Sequence, residues 1–230
     1  MNETLLMALA LIPALVFAIV FHEVSHGWTA LALGDPTAKE QRRLSLNPIR
    51  HVDPIGTVVL PGMLFLSGLP AFGWAKPVPV NQRRLRNPRY GMMAVAAAGP
   101  GSNLLLAALG AIVFGLAVGG LTAEPEGLAL LALTSLQYFI QINIFLALFN
   151  MLPIPPFDGS HIVEGLLPHR AARAYARVRP LGFPLLLLVL VVIPWLFPQW
   201  GIIERVVLPP VEWLIGQYMG LAGWVAQLVH

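Results

Sequence analysis

The sequence predicts an all-α polytopic membrane protein with about five transmembrane helices and a small β or re-entrant element at residues 55–80. Hydrophobic residues make up 57% of the 230 residues and charged residues only 11%, whereas soluble domains carry about 25% charged residues. Several apolar runs also reach the length of about 20 residues that crosses a bilayer. We therefore expect residues 1–230 to form a single integral membrane domain.

The predicted spans differ in strength. A fifth one is shorter than the others and ends in PWLFPQW, whose tryptophans suit a membrane interface. Together with the last long span, it forms a C-terminal helical pair, 181–229, that carries no recognisable motif. The four long spans are 4–33, 91–120, 128–152 and 208–229, and the short one is 181–198.

The segment between the first two long spans is apolar but unsuited to a straight helix. It reads IGTVVLPGMLFLSGLPAFGWAKPVPV and is interrupted by several prolines and glycines. Non-helical backbone at membrane depth must be buried in protein or line a wet cavity. A hairpin or a re-entrant loop is therefore predicted for 55–80.

The basic residues predict the topology. Thirteen of the 14 lysines and arginines lie in two stretches, 39–89 and 170–179. If 55–80 does not cross the membrane, both stretches lie on one side, and the positive-inside rule makes that side the cytoplasm. The prediction is a multi-pass protein of the inner membrane with its N-terminus outside and its C-terminus inside. Topology explains the positive charge, so no nucleic-acid partner is expected.

The first long span ends in the sequence HEVSH. His22 and His26 share one helical face because they lie four residues apart. In an H-E-x-x-H pattern the two imidazoles bind zinc, and the glutamate, here Glu23, is the general base. Bound zinc lowers the pKa of a water molecule toward neutrality, so that Glu23 can take its proton. Ionisable groups inside a membrane are costly and usually functional, which favours a zinc site over chance.

A catalytic zinc needs a third protein ligand beside an open position. Spacing alone leaves five candidates: Asp158, Asp53, His51, His161 and Glu164. Asp158 lies in NMLPIPPFDGSHI, where prolines end the third span and a glycine permits a turn. A turn of this kind could direct a carboxylate back into the bundle, although an ordinary helix end fits the same residues.

The motifs together resemble the site-2 protease family of intramembrane zinc metalloproteases. HEVSH is similar to the zinc motif of that family, and residues 150–159 are similar to its N-x-x-P-x-P-x-x-D-G motif. Gly99 and Asn103 are similar to its G-x-x-x-N element, and FGWAKPVPVN resembles the stretch before that helix. The resemblance covers about residues 15–165.

The resemblance implies a function for several residues. His22, His26 and Asp158 would bind Zn²⁺, and Glu23 would be the base. The amide of Asn150 would contact the substrate or the developing oxyanion, and Asn103 would help form the site or hold the substrate strand. Membrane-spanning proteins would be cleaved in or near the bilayer, toward its cytoplasmic side.

Three points of the sequence lie outside this resemblance. Many relatives have a helix before the zinc helix, and many carry PDZ or CBS domains, which we do not find here. Any regulation is therefore expected from a separate protein.

Gln137, Gln141 and Asn143 on the third span are better explained by hydrogen bonds between helices than by a wet path to the metal. His51, His161 and His169 are expected at the membrane interface or in loops. His161 is also a candidate to orient a metal ligand through a hydrogen bond.

Two rival functions remain for comparison. In a channel or transporter, polar residues would line an ion path, but no inverted repeat of the kind that many transporters carry is found. A zinc protein without catalysis would not need Glu23.

Overall fold

A computed structural model describes residues 3–59, 62–63, 66, 73–201 and 203–229 of the chain. The described residues are mainly helical, and no β-strand occurs among them, which confirms the all-α prediction. The α-helices in these ranges are α1 Glu3–Ala32, α2 Thr37–Glu40, α3 Pro88–Gly119, α4 Gly127–Asn150, α5 Asp158–Leu166, α6 His169–Ala176, α7 Gly182–Leu187, α8 Ile193–Leu196 and α9 Leu208–Gln227.

Within the described ranges, three helices are long and apolar enough to cross a membrane: α1 from Met7, α3 and α4. They correspond to three of the five predicted spans. The predicted span 208–229 forms α9, whereas the predicted span 181–198 is divided into α7, a π-helical segment Leu188–Val192 and α8. The five-span count therefore stays a prediction.

The segment 55–80 is only partly described. A π-helical turn covers Pro54–Val59, and residues 73–81 have no regular secondary structure. Most of 60–72 lies outside the described residues, so the predicted β or re-entrant element is not tested there. The chain before each proline is restricted to extended conformations, which makes the AKPVP stretch extended.

Helices α1 and α3 pack through stripes that repeat every four residues. The stripe of α3 consists mainly of glycine and alanine, which allow close approach of helices. The buried stripe of α1 is Ala10, Ala14, Ala18, His22, His26 and Ala30. That of α3 is Gly91, Val95, Gly99, Asn103, Ala107, Ala111, Gly115 and Gly119.

Helix α3 is the centre of the fold, since it contacts α1, α4, α5 and α9. At its far end, the position of a Cβ on Gly115 would lie 2.3 Å from the carbonyl oxygen of Ala222, and one on Gly119 would lie 2.6 Å from that of Ala226. The backbones of α3 and α9 therefore meet without intervening side chains. The other half of α3 faces α1 and α5, where the polar residues of the stripes lie.

Candidate metal centre and active site

Two histidines continue the alanine stripe of α1 into its contact with α3. The side chains of His22 and His26 are buried, and their rings meet edge to face with centroids 4.7 Å apart. They face Gly99, where a Cβ would lie 2.5 Å from the Cε1 and Nε2 atoms of His26 and 2.7 Å from Cε1 of His22. No side chain larger than hydrogen fits at this position without moving both imidazoles.

Asp158 reaches the same point from α5, of which it is the first residue. The next residue, Gly159, lies against the end of α4: a Cβ there would be 2.2 Å from the carbonyl oxygen of Met151. This close contact sets the position of the first turn of α5. Oδ2 of Asp158 lies 3.1 Å from Nε2 of His22 and 3.3 Å from Nε2 of His26.

A hydrogen-bond network fixes the ring of His22. Asn103 is fully buried, and its amide NH₂ donates to the carbonyl oxygen of Ala18 and to Oδ1 of Asn143. Because a main-chain carbonyl can only accept, this orients the amide and turns Oδ1 of Asn103 toward Nδ1 of His22, at 2.6 Å. His22 therefore carries its proton on Nδ1.

The ring of His26 is fixed in the same way. Its Nδ1 lies 2.7 Å from the carbonyl oxygen of Val95, one turn before Gly99 on α3. That oxygen can only accept, so His26 also carries its proton on Nδ1. Both histidines consequently turn the lone pair of Nε2 toward the carboxylate of Asp158.

Three electron-pair donors thus converge with no proton between them, which is the arrangement of a cation site. The ligand atoms of His22, His26 and Asp158 all lie within 4.8 Å of one another. Zinc binds imidazole nitrogen and carboxylate oxygen at about 2.0–2.1 Å in a tetrahedron, so its ligand atoms are about 3.3 Å apart. The distances of 3.1 and 3.3 Å fit this geometry.

Without a cation, protons on the Nε2 atoms of the imidazoles would have to lie between the two rings and the carboxylate of Asp158. Burial raises the pKa of Asp158, but the hydrogen bonds and the charges of the two histidines lower it by more, to about 2. The carboxylate is therefore ionised and available as a ligand.

Of the other candidate third ligands, His161 lines the same cavity without joining the group of three ligand atoms, and the remaining three have other partners. His51 lies at the end of a short turn, Pro48–His51, between α1 and α3, where it is buried and its Nε2–H donates to the carbonyl oxygen of Ser45. Asp53 accepts from the backbone N–H groups of Ile55 and Gly56 and caps that turn. Glu164 forms an ion pair with Arg179.

Glu23 lies beside the ligands and contacts the segment that precedes α3. The backbone N–H of Val78 donates to Oε2 of Glu23 at 2.8 Å, which leaves Oε1 of the carboxylate for another partner. Three residues further along, the N–H of Asn81 donates to Asp35, which is fully buried after the end of α1. One carboxylate of α1 and one that follows its end therefore hold this segment next to the site.

A cavity of about 340 Å³ opens on the group. Its wall is made by α1, α3, the segment 77–80 and the region around α5. Asn150, at the end of α4, lines it, and one N–H of its amide donates to the carbonyl oxygen of Leu146 at 2.9 Å. In the part of the chain that the structure describes, no partner is found for the second N–H of that amide. The lining residues are His22, Glu23, His26, Pro77, Val78, Val80, Met92, Val95, Ala96, Asn150, Pro156, Asp158 and His161.

Sequence reasoning did not identify several contacts of the site. The contact of Gly99 with both imidazoles could have been expected from the four-residue stripe of small residues in α3. The bond between Asn103 and Asn143 confirms the interpretation of Asn143 as a residue that links helices. No local signal points to the carbonyl of Val95 or to the N–H of Val78, because main-chain groups are the same at every residue.

Comparison with known proteins identifies the family. Residues 122–193 match the model of Peptidase family M50. A Bacillus subtilis (strain 168) protein named "Putative zinc metalloprotease YwhC" is 40% identical over 204 residues, covering 84% of this chain and 87% of that protein. No solved structure matches the chain.

Mycobacterial proteins are more distant relatives. "Putative zinc metalloprotease Rip2" of Mycolicibacterium smegmatis is 28% identical over 79% of this chain and 68% of its own length. The protein of the same name from Mycobacterium tuberculosis H37Rv is 29% identical over 82% of this chain and 73% of its own length. With the relationship to the Bacillus protein, these matches confirm the resemblance found in the motifs. The chain belongs to Peptidase family M50, the site-2 protease family, and is a membrane zinc metalloprotease.

Proposed function

We propose that the protein is an intramembrane protease, which hydrolyses peptide bonds of membrane-spanning proteins and serves regulated intramembrane proteolysis. His22, His26 and Asp158 are the zinc ligands and Glu23 is the general base. The observation that carries the proposal is the convergence of the three ligand side chains, in a cavity that Glu23 also lines, beside a helix long enough to span a bilayer.

Bound zinc would supply a Lewis acid that polarises the scissile carbonyl and makes water nucleophilic at neutral pH. The chain's own residues perform the other tasks. Asn103 and the carbonyl of Val95 hold the imidazoles in the metal-binding tautomer. Glu23 accepts the proton of the attacking water and passes it to the leaving amine. The free N–H of Asn150 donates to the carbonyl oxygen as negative charge develops there.

A helical substrate has to unwind before attack because its carbonyls are otherwise hydrogen-bonded within the helix. The unwound strand would pair with the extended segment beside the site, through main-chain hydrogen bonds. Pro77 and Pro79 have no N–H, so Val78 and Val80 are the N–H donors of this stretch. In an extended chain the groups of alternate residues point to the same side, and the N–H of Val78 points to Glu23. The edge that can bind a strand is therefore the one that faces the base.

The topology follows from the charges. Residues 34–90 and 153–180 lie in the cytoplasm, and the site opens toward that side of the inner membrane. The N-terminus is outside and the C-terminus inside.

Glu23→Gln should keep near-stoichiometric zinc and lose proteolysis, because glutamine cannot accept a proton but retains the shape of the side chain. Metal analysis of the purified protein and cleavage of tagged transmembrane segments in liposomes measure the two quantities. Most of the wild-type activity in this variant would show that Glu23 is not the base.

Asp158→Ala should lose its zinc during a dialysis that the wild-type protein survives, and should lose cleavage with it. Asp53→Ala and His51→Ala are the matched controls, since both residues were candidates and neither reaches the site in the structure. Retention of zinc by Asp158→Ala, with loss from either control, would mean that the loop supplies the third ligand.

Gly99→Ala should weaken zinc binding by about 10–100-fold, the usual cost of disturbing groups that orient metal ligands. The added methyl group would overlap both imidazoles. Gly101→Ala is the control on the same helix, because a Cβ there meets nothing within 4 Å and alanine favours a helix over glycine. Competition with a chelator measures the affinity, and equal affinities of the two variants would contradict the structure of this contact.

Single cysteines at Gln41, Gln82 and Ala171 should be protected from an impermeant thiol reagent applied outside, whereas one at Ala123 should react. The protein has no cysteine of its own, and Gln41, Ala123 and Ala171 are exposed. Reaction at Gln82 without reaction at Gln41 would show that 55–80 crosses the membrane.

A further inference from the structure

His161 lies on the same face of α5 as Asp158. The two residues are three apart, as are His161 and Glu164, so the three side chains follow one another along the helix. Asp158 faces the imidazoles of α1, Glu164 pairs with Arg179, and His161 lines the cavity between them. His161 is not one of the three proposed zinc ligands.

Arg179 determines the tautomer of this histidine. Its Nη2 lies 2.9 Å from Nδ1 of His161. A guanidinium has only donors, so Nδ1 must be the acceptor and the proton of the neutral ring is on Nε2. This is the opposite tautomer to that of His22 and His26. The ion pair with Glu164 holds Arg179 in place.

The Nε2–H group of His161 is accessible from the cavity. Among the described residues, no hydrogen-bond partner of Nε2 is found, and Nε2 is not one of the buried polar atoms that lack a partner. An unpaired donor at the wall of the cavity is available to a molecule that enters it. The neighbouring free donor in that wall is the amide of Asn150.

We propose that the Nε2–H of His161 donates a hydrogen bond to the scissile carbonyl oxygen, and that Arg179 is the positioning residue that fixes this tautomer. The proposal rests on the proposed proteolytic function. With Asn150, it provides two donors from two different elements, α4 and α5, for the oxygen on which negative charge develops. Such donors act mainly in the transition state.

The charge and burial around His161 and Arg179 agree with this role. Burial, and then the charge of Arg179, lower the pKa of His161 to about 4. The ring is therefore neutral at pH 7. It can donate from Nε2 without adding a second positive charge next to a zinc site.

The kinetic test uses a tagged transmembrane segment that the wild-type protein cleaves in liposomes. His161→Phe should keep its zinc and its KM and lose kcat by about 10²–10³-fold, the usual cost of removing one oxyanion donor. His161→Gln, which keeps an N–H donor, should recover part of this loss. Arg179→Gln should lower kcat by less than His161→Phe does, because part of the rings keep the proton on Nε2, whereas Arg177→Gln, an exposed arginine of the same region, should not change it.

A spectroscopic measurement tests the positioning role independently of cleavage. Nitrogen NMR of ¹⁵N-histidine protein, with His161→Phe to assign the signal, should show His161 with its proton on Nε2. Arg179→Gln should convert this signal into a mixture of tautomers, and Arg177→Gln should leave it unchanged.

The possible outcomes separate the two proposals. If the wild-type protein cleaves and Glu23→Gln does not, but His161→Phe retains its kcat, the inference is overturned and the proteolytic function stands. A rise in KM at constant kcat would also overturn it, because the contact would then serve substrate binding alone. If the wild-type protein cleaves no segment while it holds zinc, the proposed function fails and this inference fails with it.

Discussion

The contact of two imidazoles with a glycine of the neighbouring helix is the constraint on which the metal centre depends. His22 and His26 occupy a stripe that is otherwise alanine, and Gly99 makes the space for both rings. The groups that orient these rings, Val95 and Asn103, lie one turn to either side of Gly99. Separation of α1 from α3 would therefore remove both hydrogen bonds together with the packing.

The hydrogen bonds around Asn103 also suit a nonpolar environment. In a bilayer, each buried polar group must find its partner within the protein. The side-chain amides of Asn103 and Asn143 donate hydrogen bonds to the carbonyl oxygens of Ala18 and Phe139, respectively. Each of these carbonyl groups lies in a helix and has a second lone pair that can accept the bond. The network thus ends on backbone oxygens of α1 and α4 and needs no solvent. It joins three helices at the point where His22, His26 and Asp158 meet.

Sequence alone was informative where the signal is local. The spacing of HEVSH places His22, Glu23 and His26 on one turn of helix, and the apolar runs predict α1, α3 and α4. Asp158 is a different case, because 132 residues separate it from His26 and spacing left four alternatives. Its position depends on Gly159 against the end of α4, a long-range contact that periodicity does not encode. The family resemblance, rather than the pattern itself, singled out that carboxylate.

The short fifth span shows how prolines bound an apolar run. Residues 181–198 are apolar enough to suggest a helix, and prolines stand at 180, 184, 194 and 198. Each proline removes a backbone donor and disfavours helical geometry in the residue before it. Helix α7, the π-helical segment Leu188–Val192 and α8 follow one another without a break, and this helical stretch ends before Pro198.

In the proposed mechanism, the segment before α3 would connect substrate binding to Glu23. Asp35 holds Asn81 and Glu23 holds Val78, so the stretch between them lies fixed along the wall of the cavity. The prolines leave N–H donors only on the edge that faces Glu23. A substrate strand that pairs with this edge would compete with Glu23 for the N–H of Val78. Strand binding would then free Oε2 of Glu23 in addition to Oε1, whose lone pairs are not used by Val78.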